Sequence, residues 1–536
     1  RIAIADVDLA VRRLFTARVK LGMFDPPEMV PWSSIPIESV GSVSHLDVAL
    51  EAAESSFVLL KNDGSLPLSG KPKVALIGPN ANNHDILIGN YNGEPIRPVT
   101  PLQGLVEYLG DENIQYAQGS PLVPGVYGDM EPVPSAVFRF KDGEDKRSGI
   151  MAQYYAGLDE DAVPSIERID QNIDFYWEKS PVNELYEEEF RVKWEGILVP
   201  EESGEYLFGG SVSVKIDGTD AGVDVVSLKA GQEYIFEGEF VNQAHWWENA
   251  IAPKAQLLWV NTSKNFEEEA LDAAAASDVI IFCGGISSRL EGEEMPLDID
   301  GFSHGDRTNI ELPVVQLDLL RRLKETGKPV IYVNFSGSAV DLRWADSETS
   351  AVLQGFYPGE LTGTALARLL FGETSPSGKL PVTFYNSIKD LPDFKNYDMD
   401  GRTYRYFEGD VLYPFGYGLS YSSFDYEVEI ENKEIRSGEA LNVSATITNS
   451  GNVPARQVLQ LYLGDVEASW PVPVKELVAF EKVSLNPGER TIVAFRVEPD
   501  QMAVHSDDGS SLIEPGRFRI ILCGSTGSND IRVEST

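Results

Sequence analysis

Apolar residues recur at helical spacing at the start of the chain, at Val7, Ala10, Val11, Leu14, Ala17 and Leu21, and Gly22 follows as a C-terminal stop. The spacing predicts a helix with a continuous apolar stripe, which requires a body to pack on. Pro26-Pro27 and an extended stretch to Ser42 then read as a linker. The helix is therefore expected to belong to a domain whose earlier part is not in this sequence. A second helix is predicted from Leu46, Ala49, Leu50, Ala53, Phe57 and Leu60, with Ser44 and Asp47 as a capping box. After a turn at Lys61-Asn62-Asp63-Gly64, the run from Lys73 to Pro79 reads as a buried strand ending in a Gly-Pro loop.

Helical and strand-like runs then alternate, break, and resume near Ala270: helix 267–276, strand 278–283, helix 314–326, strands 329–334 and 351–354, helix 361–371. This alternation implies a mostly parallel sheet with helices on its faces. In the interruption, 149–260, period-two segments at 190–194, 204–208, 212–216, 234–240 and 255–259 predict an all-β module set inside the α/β domain. Its many aromatic residues suit sugar stacking, although most are expected to fill the core of a small sandwich. Only the adjacent Trp246-Trp247 pair is too crowded for both rings to point inward, which makes it a candidate sugar contact. From 424 to the end the pattern is all β again. Leu441, Val443, Ala445 and Ile447 alternate with polar neighbours, and further strands follow at the spacing of an immunoglobulin-like sandwich.

A chain of 536 residues exceeds the roughly 250 to 300 that one core supports, so several domains are expected. The net charge of −40 argues against nucleic acid and anionic membrane as partners and is indifferent to a neutral carbohydrate. No apolar run reaches the roughly 20 residues of a membrane helix. Cys283 and Cys523 each lie in an apolar strand-like run, so two buried thiols are expected rather than a disulfide framework.

The candidate chemistry sits after the strand Val279-Ile280-Ile281-Phe282-Cys283. Gly284-Gly285 leads into a long polar excursion that contains Ser288-Arg289-Leu290-Glu291-Gly292-Glu293-Glu294 and ends at Gly305-Asp306-Arg307. Ligands gather beyond the carboxyl ends of strands in open α/β sheets. Three carboxylates within four positions repel one another, and that repulsion would leave one of them a proton to donate, as a general acid requires. Arg289 and Arg307 are candidates to hold substrate hydroxyls or to fix a glutamate, against the plainer reading of structural ion pairs. Neither Gly78-Pro79-Asn80 nor Gly284-Gly285 fits a phosphate-binding fingerprint. The histidines show no ligand spacing and the acidic run Asp298 to Asp300 no calcium-loop spacing, so no metal and no cofactor is expected.

Several stretches together resemble the carboxyl-terminal portion of glycoside hydrolase family 3, the β-glucosidases and β-xylosidases. They are Ala53 through Asp63, Val74 through Asn80 with Gly89-Asn90-Tyr91, Phe356 through Phe384, Gly401 through Phe407, Leu412 through Tyr421 and Leu459 through Leu485. The interruption is similar to the protective-antigen-type sugar-binding module of some members, on Tyr154-Tyr155, Phe190 through Gly196, Ser203 through Phe208 and Leu257 through Trp259. The paired aspartates often found in that module are missing near Gly209 to Lys215.

The resemblance implies a fold that is α/β plus all-β over several domains. These are the last helix of a barrel domain (1–24), a linker (25–43), an α/β sandwich domain (44–148 and 261–395), the inserted β module (149–260), a connecting segment (396–423) and a fibronectin type III-like domain (424–536). It also implies that Glu291 is the general acid/base. The stretch between Glu291 and Gly305-Asp306-Arg307 is longer than the family pattern, which leaves Glu293 and Glu294 as alternatives. The family's nucleophile is an aspartate on a preceding (β/α)8 barrel for which this chain has no room.

The expected function is thus the acid/base part of an exo-acting retaining β-glycosidase. It would act on a β-linked oligosaccharide or glycoside and require the barrel as a companion chain or fragment, with Arg289, Arg307, Trp246 and Trp247 as substrate contacts. The competing expectation is a carbohydrate-binding or scaffolding protein that uses the β module. An extracellular or periplasmic location is favoured, and a homo-oligomer stays open.

Overall fold

The computed structural model describes residues 2–93, 95–128, 130–143, 145–159, 161–177, 189–222, 224–242, 254–292, 294–295, 297–506, 508–526 and 531–535. The chain divides into two compact units, residues 1–51 and 52–536. In the first, helix α1 (Ile4–Lys20) ends where Gly22 takes a left-handed φ of 70° and lies against Val30. Three short 3-10 turns follow, at Pro27–Met29, Pro31–Ser34 and Ile37–Ser39, in place of a plain extended linker. Helix α2 (Val43–Ser56) begins one residue before the expected cap, because Gly41 at φ 65° turns the chain and the Ser42 carbonyl accepts from the Leu46 N–H at 2.9 Å.

The α2 reading also ran too far. Phe57 and Leu60 lie beyond the helix, and the unbroken apolar run there forms strand β1 (Val58–Asn62), buried at Val58, Leu59 and Leu60. A short continuous apolar run fits a buried strand as well as a helix face, and here pairing decides the matter. It joins β2 (Val74–Ile77), β3 (Ile114–Ala117), β4 (Val279–Gly285), β5 (Val330–Phe335) and β6 (Ala351–Gln354) in one six-stranded sheet of order β1-β6-β5-β4-β2-β3. β1 is antiparallel to β6 and all the other pairs are parallel. Strands β2, β4, β5 and β6 are buried at every position, as β-branched and aromatic strands between helical layers should be. Helices α3 (Pro101–Leu109), α4 (Phe266–Ala275), α5 (Val314–Glu325), α6 (Arg343–Glu348) and α7 (Thr362–Leu370) accompany the sheet. After β3 the chain returns on the other side of β2, so the strand order reverses between β2 and β4. Such a switch point opens a crevice at the carboxyl ends.

The chain between β3 and α4 forms two antiparallel sheets around a core that includes Tyr154, Trp194, Phe208 and Phe236. They draw in residues ahead of Gly149: Phe138–Asp142 pairs with both Phe190–Leu198 and Asp145–Ser148, and Glu131–Pro132 pairs with Lys254–Asn261. Most of the aromatic residues are core, and Trp194 Nε1 and Tyr154 OH both donate to the buried Asp170 at 2.9 and 2.7 Å. The last domain faces a three-stranded sheet (Phe424–Ile430, Leu441–Asn449, Arg490–Val497) with a four-stranded one (Ala455–Asp465, Glu476–Leu485, Phe518–Cys523, Ile531–Ser535). Cys283 and Cys523 are both buried, and neither is in a disulfide.

Candidate active site

Strand β4 delivers the polar excursion to the crevice, and its end is held by amides. Gln316 on α5 is fully buried; its Oε1 accepts from the Gly285 N–H at 2.8 Å, and its Nε2 donates to the Gly285 and Leu122 carbonyls at 2.8 and 2.7 Å. On the other flank Asn80, after β2, donates from Nδ2 to the Gly284 and Ile286 carbonyls, each at 3.1 Å. Gly285, at φ 107°, sits where any Cβ would strike the Phe335 carbonyl of β5, so only glycine allows the two strands to end together. The Leu290 N–H then donates to the Ser287 carbonyl at 2.9 Å, and the buried Leu290 anchors the turn that places Glu291.

The Glu291 carboxylate reaches across the carboxyl ends of β5 and β6. Its Oε1 accepts from the Gly337 N–H at 2.5 Å and from the Tyr357 hydroxyl at 2.9 Å, and its Oε2 accepts from the Ser338 hydroxyl at 2.9 Å. The backbone beneath is tied to the β2 side, where Asn90 Nδ2 donates to the Glu291 carbonyl at 3.1 Å. Burial and the Glu291 charge hold the Tyr357 phenol well above its ordinary range, so it remains a proton-bearing donor. Gly337 must lack a side chain, because a Cβ there would collide with Glu291 Oε1.

Arg307 completes the cluster. Its Nη1 donates to Ser338 Oγ at 3.1 Å, and its guanidinium lies 5.1 Å from the Phe302 ring centroid. Burial draws its pKa down, with the nearby Glu291 pulling the other way. Its Nε is buried with no hydrogen-bond partner among the described residues.

Arg289 and Glu294 have other surroundings. Arg289 is largely exposed and its Nε pairs with Asp85 Oδ2 at 3.1 Å, so it braces the loop after β2 rather than Glu291. Burial pushes the Asp85 carboxyl above its usual range, with Arg289 opposing. Glu294 is exposed with a left-handed φ of 49°, and His304, also exposed, is a turn residue at φ 52°. Glu293, Trp246 and Trp247 lie outside the described residues. Among the described residues the Glu291 carboxylate faces N–H and O–H donors, from Gly337, Ser338 and Tyr357. Gly337, Ser338 and Tyr357 were not singled out as site residues. Each lies just past a strand of the parallel sheet, a position that marks it for the crevice once the strand order is known.

Fold and site define a multidomain α/β and all-β protein with a donor-clamped carboxylate at the switch point of its sheet. The glycosyl hydrolase family 3 C-terminal domain profile matches residues 57–421, and the fibronectin type III-like domain profile matches 457–526. The chain belongs to glycosyl hydrolase family 3. It is 33% identical over 556 residues to a xylan 1,4-β-xylosidase of Xylanibacter ruminicola, covering 98% of this chain and 62% of that protein. It is 27% identical over 542 residues to a periplasmic β-glucosidase of Salmonella typhimurium, covering 97% of this chain and 54% of that one. The crystal structure of the β-glucosidase of Kluyveromyces marxianus in complex with glucose matches with a TM-score of 0.70 at 24% identity, over 93% of this chain and 63% of that one; this likeness concerns the fold. The chain thus spans less than two thirds of each of these proteins.

Proposed function

We propose that Glu291 is the general acid/base of an exo-acting retaining β-glycosidase that cleaves β-linked xylosides or glucosides. The nucleophilic carboxylate would come from a (β/α)8 barrel outside these 536 residues. The observation that carries this reading is the Glu291 carboxylate held by Gly337, Ser338 and Tyr357 at the carboxyl end of the parallel sheet. The family membership and the β-xylosidase and β-glucosidase relatives support it.

In the first half-reaction Glu291 gives its proton to the glycosidic oxygen while the barrel carboxylate attacks the anomeric carbon, and the aglycone leaves. In the second, Glu291 takes a proton from water as that water attacks the anomeric carbon and releases the barrel carboxylate. A retaining pair lies about 5 Å apart, so the barrel would have to present its carboxylate across the crevice from Glu291. Tyr357 and Ser338 would fix the rotamer, and Arg307 would hold Ser338 in place with its remaining N–H groups turned toward sugar hydroxyls. The substrate contacts read at Trp246 and Trp247 belong to the same proposal, with the inserted module as a sugar-binding one. The location we infer is extracellular or periplasmic, in keeping with the name of the Salmonella relative.

The test is Glu291→Gln in the barrel-containing enzyme. Turnover of an alkyl β-xyloside or β-glucoside should fall by about 10²–10⁴-fold, whereas an aryl glycoside with a good leaving group should retain fast glycosylation and recover turnover with added azide. Equal loss on both substrates, with no rescue, would remove Glu291 from the role. Glycan binding without any turnover in the unmutated enzyme would favour the non-catalytic carbohydrate-binding reading.

A further inference from the structure

Away from the Glu291 crevice, a cleft of about 270 Å³ opens between the outer edge of the sheet at β3 and the root of the inserted β module. It forms where the chain leaves for the module and where it returns. Val137 is on the outgoing side, Trp259 and Asn261 on the returning side, and Tyr116 and Gln118 come from β3 and its end. It shares no lining residue with the Glu291 clamp. We propose that this cleft is a second binding site, for a neutral sugar residue, and that it operates whether or not Glu291 is the acid/base.

Three features carry the assignment. Gln118 lines the cleft, is only 7% exposed, and its amide nitrogen has no hydrogen-bond partner among the described residues. A buried donor left unpaired is costly, and native proteins keep few of them. The second feature is an apolar wall: Trp259 and Tyr206, packed ring to ring at 4.7 Å between centroids and almost wholly buried in the module core, line the cleft, so the C–H groups of a sugar would meet apolar surface there. The third is the rim, where Glu131, Glu201 and Glu269 are exposed and have no ion-pair partner among the described residues. The cation of the cleft, Lys264, lies 4.0 Å from Glu202 and is balanced by it.

Carboxylates only accept, and an orphaned amide N–H only donates. A ligand that satisfies both must donate and accept, and it must also carry an apolar face. Sugar hydroxyls and ring C–H groups meet all three demands. An organic ammonium would satisfy the rim and the aromatic wall but leaves Gln118 unpaired, because it has no acceptor. The volume exceeds many times the roughly 30 Å³ share of one water and falls just under the roughly 300 Å³ at which pockets for drug-sized ligands begin. It therefore suits one or two rings at the end of a chain rather than a long glycan.

Titration calorimetry of the whole chain with xylotriose, cellotriose and spermidine tests this. One of the two trisaccharides should bind saturably, about tenfold more weakly to Gln118→Leu and measurably more weakly to Glu269→Gln, with Glu291→Gln unchanged. If Gln118→Leu does not fold, the surface pair Glu131→Gln and Glu269→Gln carries the test alone. The proposal is overturned if neither trisaccharide binds saturably, if binding is indifferent to the cleft variants, if Glu291→Gln abolishes it, or if spermidine binds in preference to both sugars.

Discussion

The end of the α/β sheet and the end of the C-terminal sandwich both bury amides, and they use them differently. Beneath the crevice Gln316 and Asn80 clasp the last residues of β4, and in the adjoining layer Asn334 Nδ2 donates to Gln354 Oε1 at 2.6 Å and to Ser336 Oγ at 2.9 Å. Above these amides stands Glu291. In the sandwich Asn449 does comparable work: its Nδ2 donates to the Val453 and Leu485 carbonyls, each at 2.9 Å, and its Oδ1 accepts from Ser422 Oγ and the Gly451 N–H. What it holds is the turn at Ser450-Gly451 and the entering segment at Ser422, where no site residue stands among the described residues. A buried amide at a strand end therefore reports precision of the backbone, and only the groups standing on that backbone make the precision functional.

The largest expected effect removes the functional layer and spares the support. Gly337→Val keeps the backbone donor, but its Cβ would collide with Glu291 Oε1 and lie 3.0 Å from the Tyr357 ring. Displacing a reacting group by about 1 Å costs on the order of 10²-fold in rate, so kcat in the barrel-containing enzyme should fall by about that much. Gly337 is exposed and its φ is not left-handed, so the urea midpoint should hardly move. A large loss of stability with unchanged activity in the folded fraction would show that Gly337 is structural, and the contrast between the regions would fail.

The second test exchanges the supports. Gln316→Leu leaves the Gly285 N–H and two carbonyls without partners, and Asn449→Leu does the same around Val453 and Leu485. Each should cost about 3 kcal/mol of stability, read from denaturant curves. Only Gln316→Leu should also lower kcat measured on folded protein, because only there does the loosened strand carry Glu291. Equal kinetic effects would mean that the clasp under β4 does no positioning.

How much of this was readable beforehand follows from the range of the interactions. The β4 loop was legible because an apolar run, two glycines and a polar excursion are contiguous. The clamp was not, because the partners of Glu291 lie 46, 47 and 66 positions away and meet only through parallel pairing. Arg289 and Arg307 looked alike as sequence, yet one turns to Asp85 and the other to Ser338, a choice made by the loop after β2 and the hairpin around Phe302. Five strands of the sandwich were legible, since alternation is local, whereas Phe424–Ile430 and Ile531–Ser535 were not read as strands. Strand β1 was misread because Phe57 to Leu60 is too short a run to reveal its period.

The smallest effect concerns the boundary between the two regions, where Lys379 from the end of the α/β domain donates to the Gly418 carbonyl at 2.6 Å. Burial draws its ammonium down from 10.5 to about 7, with Cys523 opposing and Lys482 of the sandwich adding to the fall. Between those two values the unfolded chain holds a proton that the folded chain has released. Stability contributed by this group therefore rises as pH climbs from about 7 toward about 10.5, and is lowest where the buried amine must be charged. In Lys379→Met that rise should vanish, so the difference in urea midpoint between the two proteins should stay level below about pH 7 and narrow from there to about 9. The variant should be the more stable at the acid end. A difference that stays constant across the range would show that Lys379 keeps its proton in the folded state, and that water reaches the junction between sheet and sandwich.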